Sequence, residues 1–327
     1  MAIIEVNNIS KDYVTYSYGK GIKGVLKGLV KREKQTTNAI SNISFSVERG
    51  ESVAYIGPNG AGKSTTLKML SGILEPTSGM VSVCGMEPYK NRQMYAKKIG
   101  VIFGQRSQLR WDIPAIDSLK LMSYIYDVDR GEYKKRMELF DDILEFGSFI
   151  NKPVRQLSLG QRVRVDFAVA LLHNPEILFL DEPTIGLDVV AKEKIRNFIK
   201  YVNEERNVTI ILTTHDMVDI EKICNRVILI DKGTLKFDDS IKEFEKTYGT
   251  NRLINVEFVS ELDAFQFDFA DPQVCKIETS NNSATFMFNK FVPVKQLITE
   301  LNNRIEIRDF SVIDEDIESI VRRVYQQ

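Results

Sequence analysis

Gly57-Pro58-Asn59-Gly60-Ala61-Gly62-Lys63-Ser64-Thr65 decides how the chain is read. The apolar run Val53-Ala54-Tyr55-Ile56 precedes it, and Thr66-Leu67-Lys68-Met69-Leu70, which reads as helix, follows it. Strand, glycine loop and helix in that order are the context in which a G-x-x-x-x-G-K-[ST] pattern carries meaning. The glycines let consecutive backbone N–H groups turn inward around an anion, which a Cβ would obstruct. The helix adds its positive dipole end and its unpaired N–H groups. Lys63 is expected to reach the β- and γ-phosphates of a nucleotide, and the Ser64 hydroxyl to hold Mg2+.

The bulk numbers bound what surrounds this loop. A chain of 327 residues implies two domains, one large and one small. Hydrophobic residues make up 43% and charged residues 27%, the composition of an ordinary globular protein. Lys plus Arg total 44 against 45 Asp plus Glu, so there is no basic surplus to support nucleic-acid binding. Cys84, Cys224 and Cys275 are too far apart for a metal or redox motif, and their odd number argues against a disulfide framework. A reducing, cytosolic setting fits best. Met1-Ala2-Ile3-Ile4-Glu5 lacks the basic start and apolar stretch of a signal peptide. No apolar run approaches the roughly 18–20 residues that span a bilayer. If the protein works at a membrane, another polypeptide is expected to supply the spanning part.

Outward from the loop, Ile3–Ile9, Ala39–Glu48, Ser52–Ile56, Met80–Val83 and Lys98–Phe103 read as strands. Residues 14 to 38 interrupt them. Ile22, Val25, Leu26 and Leu29 form a helical stripe with Lys20, Lys23, Lys27, Lys31, Arg32 and Lys34 around it. Such a stretch either packs as an insertion on its own domain or lies on an anionic membrane or acidic partner. Residues from about 115 to 172 read as mainly helical, with one stripe through Leu119, Leu121, Met122, Ile125 and Tyr126 and another through Met137, Phe140, Ile143 and Leu144. His173-Asn174-Pro175 ends this region, with His173 as a partner for the helix dipole. Ile177–Leu180, Val208–Thr214 and Asn225–Asp231 are apolar runs suited to strands buried on both faces of a parallel sheet. After about residue 240 the texture changes to alternating strands at Leu253–Val259, Val274–Glu278 and Ala284–Phe288. A helix at Val292–Leu301, a strand at Ile305–Ile307 and a helix at Ile313–Tyr325 follow.

Phosphoryl hydrolysis needs a cradle, a divalent metal, a positioned water and charge stabilisation. Asp181 and Glu182 end a buried strand, where open α/β sheets bind ligands. Asp181 is placed to orient Mg2+ directly or through water, and Glu182 to act as general base; adjacent acids also end strands for no catalytic reason. His215, just past the next buried strand, is placed to hold the γ-phosphate, the water and Glu182 in line. Gln105 follows a strand and precedes the helical region; its amide can reach metal or water, though a loop glutamine is equally at home in solvent. In Leu157-Ser158-Leu159-Gly160-Gln161, Ser158, the Gly160 N–H and the start of a helix form a second anion site. Two anion-binding elements in one chain imply a composite site. The second would close over the γ-phosphate held by another subunit, in a two-fold dimer that ATP holds together and hydrolysis releases.

Together these motifs make residues 1 to 240 resemble the nucleotide-binding subunit of an ATP-binding-cassette (ABC) transporter. Residues 57–65 resemble its Walker A, Gln105 its Q-loop, 157–161 its signature motif, 177–182 its Walker B, 186–188 its D-loop and His215 its switch histidine. The resemblance implies an α/β fold: a P-loop NTPase, RecA-like core with an antiparallel β subdomain, an α-helical subdomain at about 106–165, and a small α+β accessory domain at 241–327. It implies ATP and Mg2+ as cofactors. Nucleotide contacts would come from Gly57, Asn59, Gly60, Gly62, Lys63, Ser64, Thr65, Ser158, Gly160 and Gln161, and from Tyr13 stacking on adenine, with Tyr16 and Tyr18 as competitors. Metal contacts would come from Ser64, Gln105 and Asp181, and catalysis from Glu182, His215 and Gln105. It also implies a separate transmembrane permease, dimerisation with a second cassette, and a peripheral place on the cytoplasmic face of the cell membrane.

Residues 101–112 and the accessory domain resemble the branch that exports drugs and antibiotics. Leu159 departs from the family's LSGGQ, in which glycine stands at that place. A soluble ATPase of the same family, acting in DNA repair or translation, usually carries two cassettes, zinc cysteines or a basic surface, none of which is present. A phosphotransferase with a lone glycine loop would leave 157–161 and His215 idle.

Overall fold

The computed structural model describes residues 2–17, 33–104, 106–260, 269 and 274–326. The chain divides into one compact unit at Met1–Ile241 and a second at Lys242–Gln327.

The first unit is built on six strands: β3 (Ser52–Ile56), β5 (Ile99–Phe103), β6 (Ile177–Asp181), β7 (Thr209–Thr213), β8 (Arg226–Asp231) and β9 (Thr234–Ser240). They lie in the order β5-β6-β7-β3-β8-β9. All pairs are parallel except β8 with β9. Apolar runs covered on both faces make this sheet the core, and each buried Val, Ile, Leu or Phe contributes about 1.5–3 kcal/mol. The register aligns Phe103 with Asp181 and Asp181 with Thr213, so the carboxyl ends of β5, β6 and β7 finish level.

An antiparallel sheet accompanies it, with β2 (Glu33–Glu48) and β4 (Ser78–Val83) on either side of β1 (Ala2–Ser17). β1 runs eight residues beyond Ile9, and Tyr13 to Ser17 pair with Thr37 back to Glu33. Both flanks of the expected 14–38 insertion are therefore strand. The helical stripe through Ile22 and Leu29 lies outside the described residues. The turn at Gly233 joins this sheet to the glycine loop: Ser41 N–H donates to Gly233 O at 2.7 Å, and Gly233 N–H to Ala61 O at 3.1 Å.

Helices α1 (Lys63–Leu70) and α2 (Arg92–Ala96) precede a helical region of α3 (Ala115–Ile125), α4 (Arg130–Leu144) and α5 (Leu159–Leu171). Gly100 lets α5 approach the sheet, since a Cβ there would lie 2.5 Å from Ala170 O. The stripe assigned to α3 holds only in part: Leu119 is buried, whereas Leu121 and Ile125 are exposed. His173 also departs from expectation. Its ring stacks on Tyr126, with centroids 4.0 Å apart, and its Nε2 bonds Ile99 O at 2.8 Å. Burial lowers its pKa, so it packs as a neutral ring rather than a cationic dipole partner. Two further helices, α6 (Val189–Arg206) and α7 (Met217–Ile223), add to the sequence reading. Phe198 of α6 meets Phe140 and Phe167 edge to face at 5.6 and 6.1 Å.

The second unit begins at the second residue of α8 (Ile241–Tyr248) and folds β10 (Asn251–Phe258), β11 (Val274–Thr279), β12 (Ser283–Asn289) and β13 (Ile307–Asp314) into one antiparallel sheet, ordered β11-β12-β10-β13. Helices α9 (Val294–Asn302) and α10 (Ile317–Gln326) complete it. The last strand begins at Ile307 rather than ending there, and α10 starts four residues after Ile313. Ile313 is held in the ladder opposite Leu253, and the Asp316 carboxylate accepts from Ser319 N–H at 2.6 Å, so the helix begins only beyond that cap. Among the described residues no helix is long and apolar enough to cross a membrane.

Candidate functional site

The glycine loop leaves β3 at Ile56 and enters α1 at Lys63. Two of its glycines are required by neighbours. A Cβ on Gly57 would lie 2.3 Å from Ile230 O, and one on Gly62, at φ +109°, would lie 2.4 Å from Ile40 Cδ1. Gly60, at φ +83°, faces open space, which suits a loop whose backbone receives a ligand. Gly62 caps α1 without a side-chain bond, leaving first-turn N–H groups free of a capping side chain. Lys63 is buried and donates to Gly57 O at 2.6 Å and Pro58 O at 3.1 Å.

The second wall comes from the ends of β6 and β7. Asp181 Oδ1 accepts from Thr213 Oγ1 at 2.6 Å and from Ser64 Oγ at 3.3 Å, which joins the glycine loop to the strand ends. Glu182 has left the strand in a left-handed conformation, φ 55°, unusual for a residue with a side chain. Its Oε1 lies 3.2 Å from His215 Nε2. Asn59, Gly60, Gly62, Lys63, Ser64, Thr65, Asp181, Glu182 and His215 line one cavity of about 810 Å3, within the range of nucleotide-sized sites. Burial lowers the Lys63 pKa, while the Glu182 and Asp181 charges raise it. Burial raises the Glu182 pKa against a hydrogen bond from the His215 backbone and the Lys63 charge. Burial and then the Lys63 charge lower the His215 pKa, so its imidazole is neutral near pH 7 and its Nε2–H can donate to the carboxylate.

Not every expected residue lines this cavity. Gln105 lies outside the described residues. Tyr13 stands half-exposed on β1, 5.9 Å beneath Lys11 Nζ, away from the cavity lining, and the side chains of Tyr16 and Tyr18 lie outside the described residues. Ser158, Gly160 and Gln161 open α5 and are absent from the cavity lining. Ser158 and Gln161 are tied in a reciprocal cap: Ser158 Oγ accepts from Gln161 N–H at 3.2 Å, and Gln161 Oε1 from Ser158 N–H at 3.0 Å. The Leu159 and Gly160 N–H groups are outside that cap. Thr213 has no motif in the sequence; its signal is a hydroxyl at the carboxyl end of a buried strand whose centre, Ile210-Ile211-Leu212, is aliphatic. Ala39, Phe103, Gly104 and Arg106 also line the cavity, and only the strand ending at Phe103 hinted at them.

The family model described as ABC transporter matches residues 40–185. The chain is 32% identical over 230 residues to the ABC transporter ATP-binding protein NatA of Bacillus subtilis, covering 70% of this chain and 93% of that protein. It is 32% identical over 242 residues to the bacitracin transport ATP-binding protein BcrA of Bacillus licheniformis, covering 72% and 77%. It is 34% identical over 239 residues to the methionine import ATP-binding protein MetN 2 of Enterococcus faecalis, covering 72% and 64%. A solved ATP-binding cassette, in a dimeric post-hydrolysis state bound to ADP and phosphate, superposes with a TM-score of 0.61 at 28% identity, covering 73% of this chain and 98% of that one. With the strand order, the glycine loop and the carboxylates at the strand ends, these likenesses place the chain: it belongs to the ABC transporter family, as an ATP-binding, ATP-hydrolysing subunit.

Proposed function

We propose that Glu182 is the general base for ATP hydrolysis in this cavity, that His215 holds it, and that a second copy of the chain completes the site. The observation that carries this is the 3.2 Å approach of His215 Nε2 to Glu182 Oε1 within the cavity that Lys63 and Ser64 also line. Lys63 offers its ammonium to the β- and γ-phosphate oxygens in place of its own loop carbonyls. The Ser64 hydroxyl and Asp181 carboxylate, 3.3 Å apart, are hard oxygen donors that fit Mg2+, with Gln105 as a further donor from the sequence reading. Mg2+, when bound, supplies neutralisation of charge on the phosphate oxygens. Glu182 takes a proton from the attacking water as that oxygen bonds to the γ-phosphorus and the bond to the departing ADP oxygen breaks. A positioned base contributes roughly 10²–10⁴-fold. The raised proton affinity that burial gives Glu182 suits it to hold that proton.

Ser158 and Gly160 would close over the γ-phosphate from the second copy, through the Ser158 hydroxyl and the Leu159 and Gly160 N–H groups. A two-fold pair then contains two equivalent sites. Family membership supports a membrane permease as partner. We place the subunit at the cytoplasmic face, powering export, with Lys242–Gln327 as an accessory domain. Glu182→Gln should bind ATP with wild-type affinity and lose at least about 100-fold in kcat, as loss of a general base requires. Wild-type turnover by that variant would remove the base assignment. Inside-out vesicles carrying the co-purified permease test direction: ATP-driven substrate accumulation supports export, and ATP-driven loss of preloaded substrate overturns it.

A further inference from the structure

Behind the cavity lies a carboxylate that the reaction as described does not use. Asp219 of α7 is fully buried. Its Oδ2 accepts from Thr184 Oγ1 at 2.5 Å and from Thr214 Oγ1 at 3.1 Å, and its Oδ1 accepts from Arg196 Nε at 2.6 Å. Thr184, Thr214 and Arg196 are themselves buried. Thr184 stands two residues after Glu182, on the loop that leaves β6. Thr214 immediately precedes His215, on the loop that leaves β7. One oxygen atom therefore holds both loops that carry the catalytic pair.

We propose that Asp219 is a positioning residue for ATP hydrolysis, clamping Thr184 and Thr214 so that Glu182 and His215 stand at a fixed separation. Arg196 makes the clamp tolerable, because an unpaired buried carboxylate would be costly. Arg196 is fixed in turn by Asp216, which accepts from its Nη2 at 3.0 Å and from Lys192 Nζ at 2.6 Å. Asp216 also caps α7 and donates its own N–H to Thr214 Oγ1 at 3.0 Å. The two threonines act on the base and the histidine by different covalent routes, so loosening either one should disturb the same 3.2 Å contact. The geometry is exacting, since a shift of about 1 Å in a catalytic group can lower a rate about 100-fold.

The inference rests on Glu182 as base, and the test separates the two. In the purified full chain, kcat, KM for ATP, affinity for a fluorescent ATP analogue and Tm are measured for Thr184→Val, Thr184→Ser, Thr214→Val, Thr214→Ser and Glu182→Gln. Valine keeps the shape of threonine and removes the hydroxyl; serine keeps the hydroxyl. Both valine variants should lose about 10- to 100-fold in kcat with affinity within about two-fold of wild type, and both serine variants should recover most of that loss. Valine variants with wild-type kcat, serine variants that fall as far as valine, or affinity lost in parallel with kcat would each overturn the clamp. If Glu182→Gln itself turns over normally, the base assignment fails first. If it is inactive while both valine variants are unimpaired, the clamp alone fails.

Discussion

Gly57 and Gly60 show how differently two glycines of one loop are constrained. At Gly57 an added Cβ meets backbone and side chain of β8, at 2.3 Å from Ile230 O and 3.0 Å from Ile230 Cγ1. A strand carbonyl paired within a sheet cannot retreat, so the added carbon must be accommodated by strain of roughly 1–3 kcal/mol or more. At Gly60 an added Cβ has no atom within 4 Å, and only the left-handed backbone at φ +83° opposes it, a cost of about 1–2 kcal/mol. In denaturant unfolding of the nucleotide-free protein, Gly57→Ala should therefore lose more stability than Gly60→Ala. Equal losses would contradict this account of the loop. The pattern of glycines was readable from sequence, but their separate roles were not: which glycine faces a neighbouring strand depends on β8, more than 160 positions away in the chain.

At the scale of elements, α5 links residues 157–161 to the segment that follows the expected Q-loop. Ser158 caps its start, and Asp166, seven residues after Leu159, is buried and holds that segment. Asp166 Oδ1 accepts from Ser107 Oγ at 2.9 Å and from Gln108 N–H at 3.0 Å. Burial pushes this carboxyl up to about 6 from an ordinary 3.8, against those two bonds and the Arg162 charge. The folded chain thus keeps a proton that the unfolded chain has released. The stability contributed by the protonated form is fully present only below the ordinary pKa of 3.8 and is lost as pH rises through about 6, by about 3 kcal/mol in all. Denaturant unfolding of wild type and Asp166→Asn at pH 4 and pH 7 reads this, because other titrations largely cancel in the difference. Wild type should fall relative to the variant by about 2 kcal/mol between the two pH values; a difference independent of pH would show that Asp166 does not titrate there.

Elements also show where the sequence was legible. Strands β3, β6, β7 and β8 were plain because parallel strands covered on both faces need uninterrupted apolar runs, and the helix begun by Ser158 was plain because its cap is a local pattern. Helix α6 carries a sequence signal along its length: Ala191, Ile195, Phe198, Ile199 and Val202 are buried at helical spacing. Other features depend on distant partners. The length of β1 is set by β2 across an insertion, the end of β13 by β10, and the neutral state of His173 by Tyr126 and Ile99. In the site, Lys63, Ser64, Asp181, Glu182 and His215 were named from motifs and the fold lines them along one cavity, whereas Thr213, Thr184 and Asp219 carry no motif and emerge only from the packing of β7, α6 and α7.

At the scale of the molecule, the cavity is lined by Asn59, Gly60, Gly62, Lys63, Ser64, Thr65, Asp181, Glu182 and His215, whereas Gly57 and Tyr13 are not among its lining residues and Ser158, Gly160 and Gln161 open α5 away from it. Under the proposed function, one chain offers a cradle, a base and a histidine, and the Leu159 and Gly160 N–H groups with the Ser158 hydroxyl form a separate donor surface for a γ-phosphate. In the proposed dimer, two copies related by a two-fold axis would satisfy both halves at once, and hydrolysis, by removing the shared phosphate, would release them. Sedimentation of Glu182→Gln with ATP, with ADP and without nucleotide tests this claim most directly. The account predicts a dimer with ATP and a monomer in the other two conditions; a monomer in all three would contradict it.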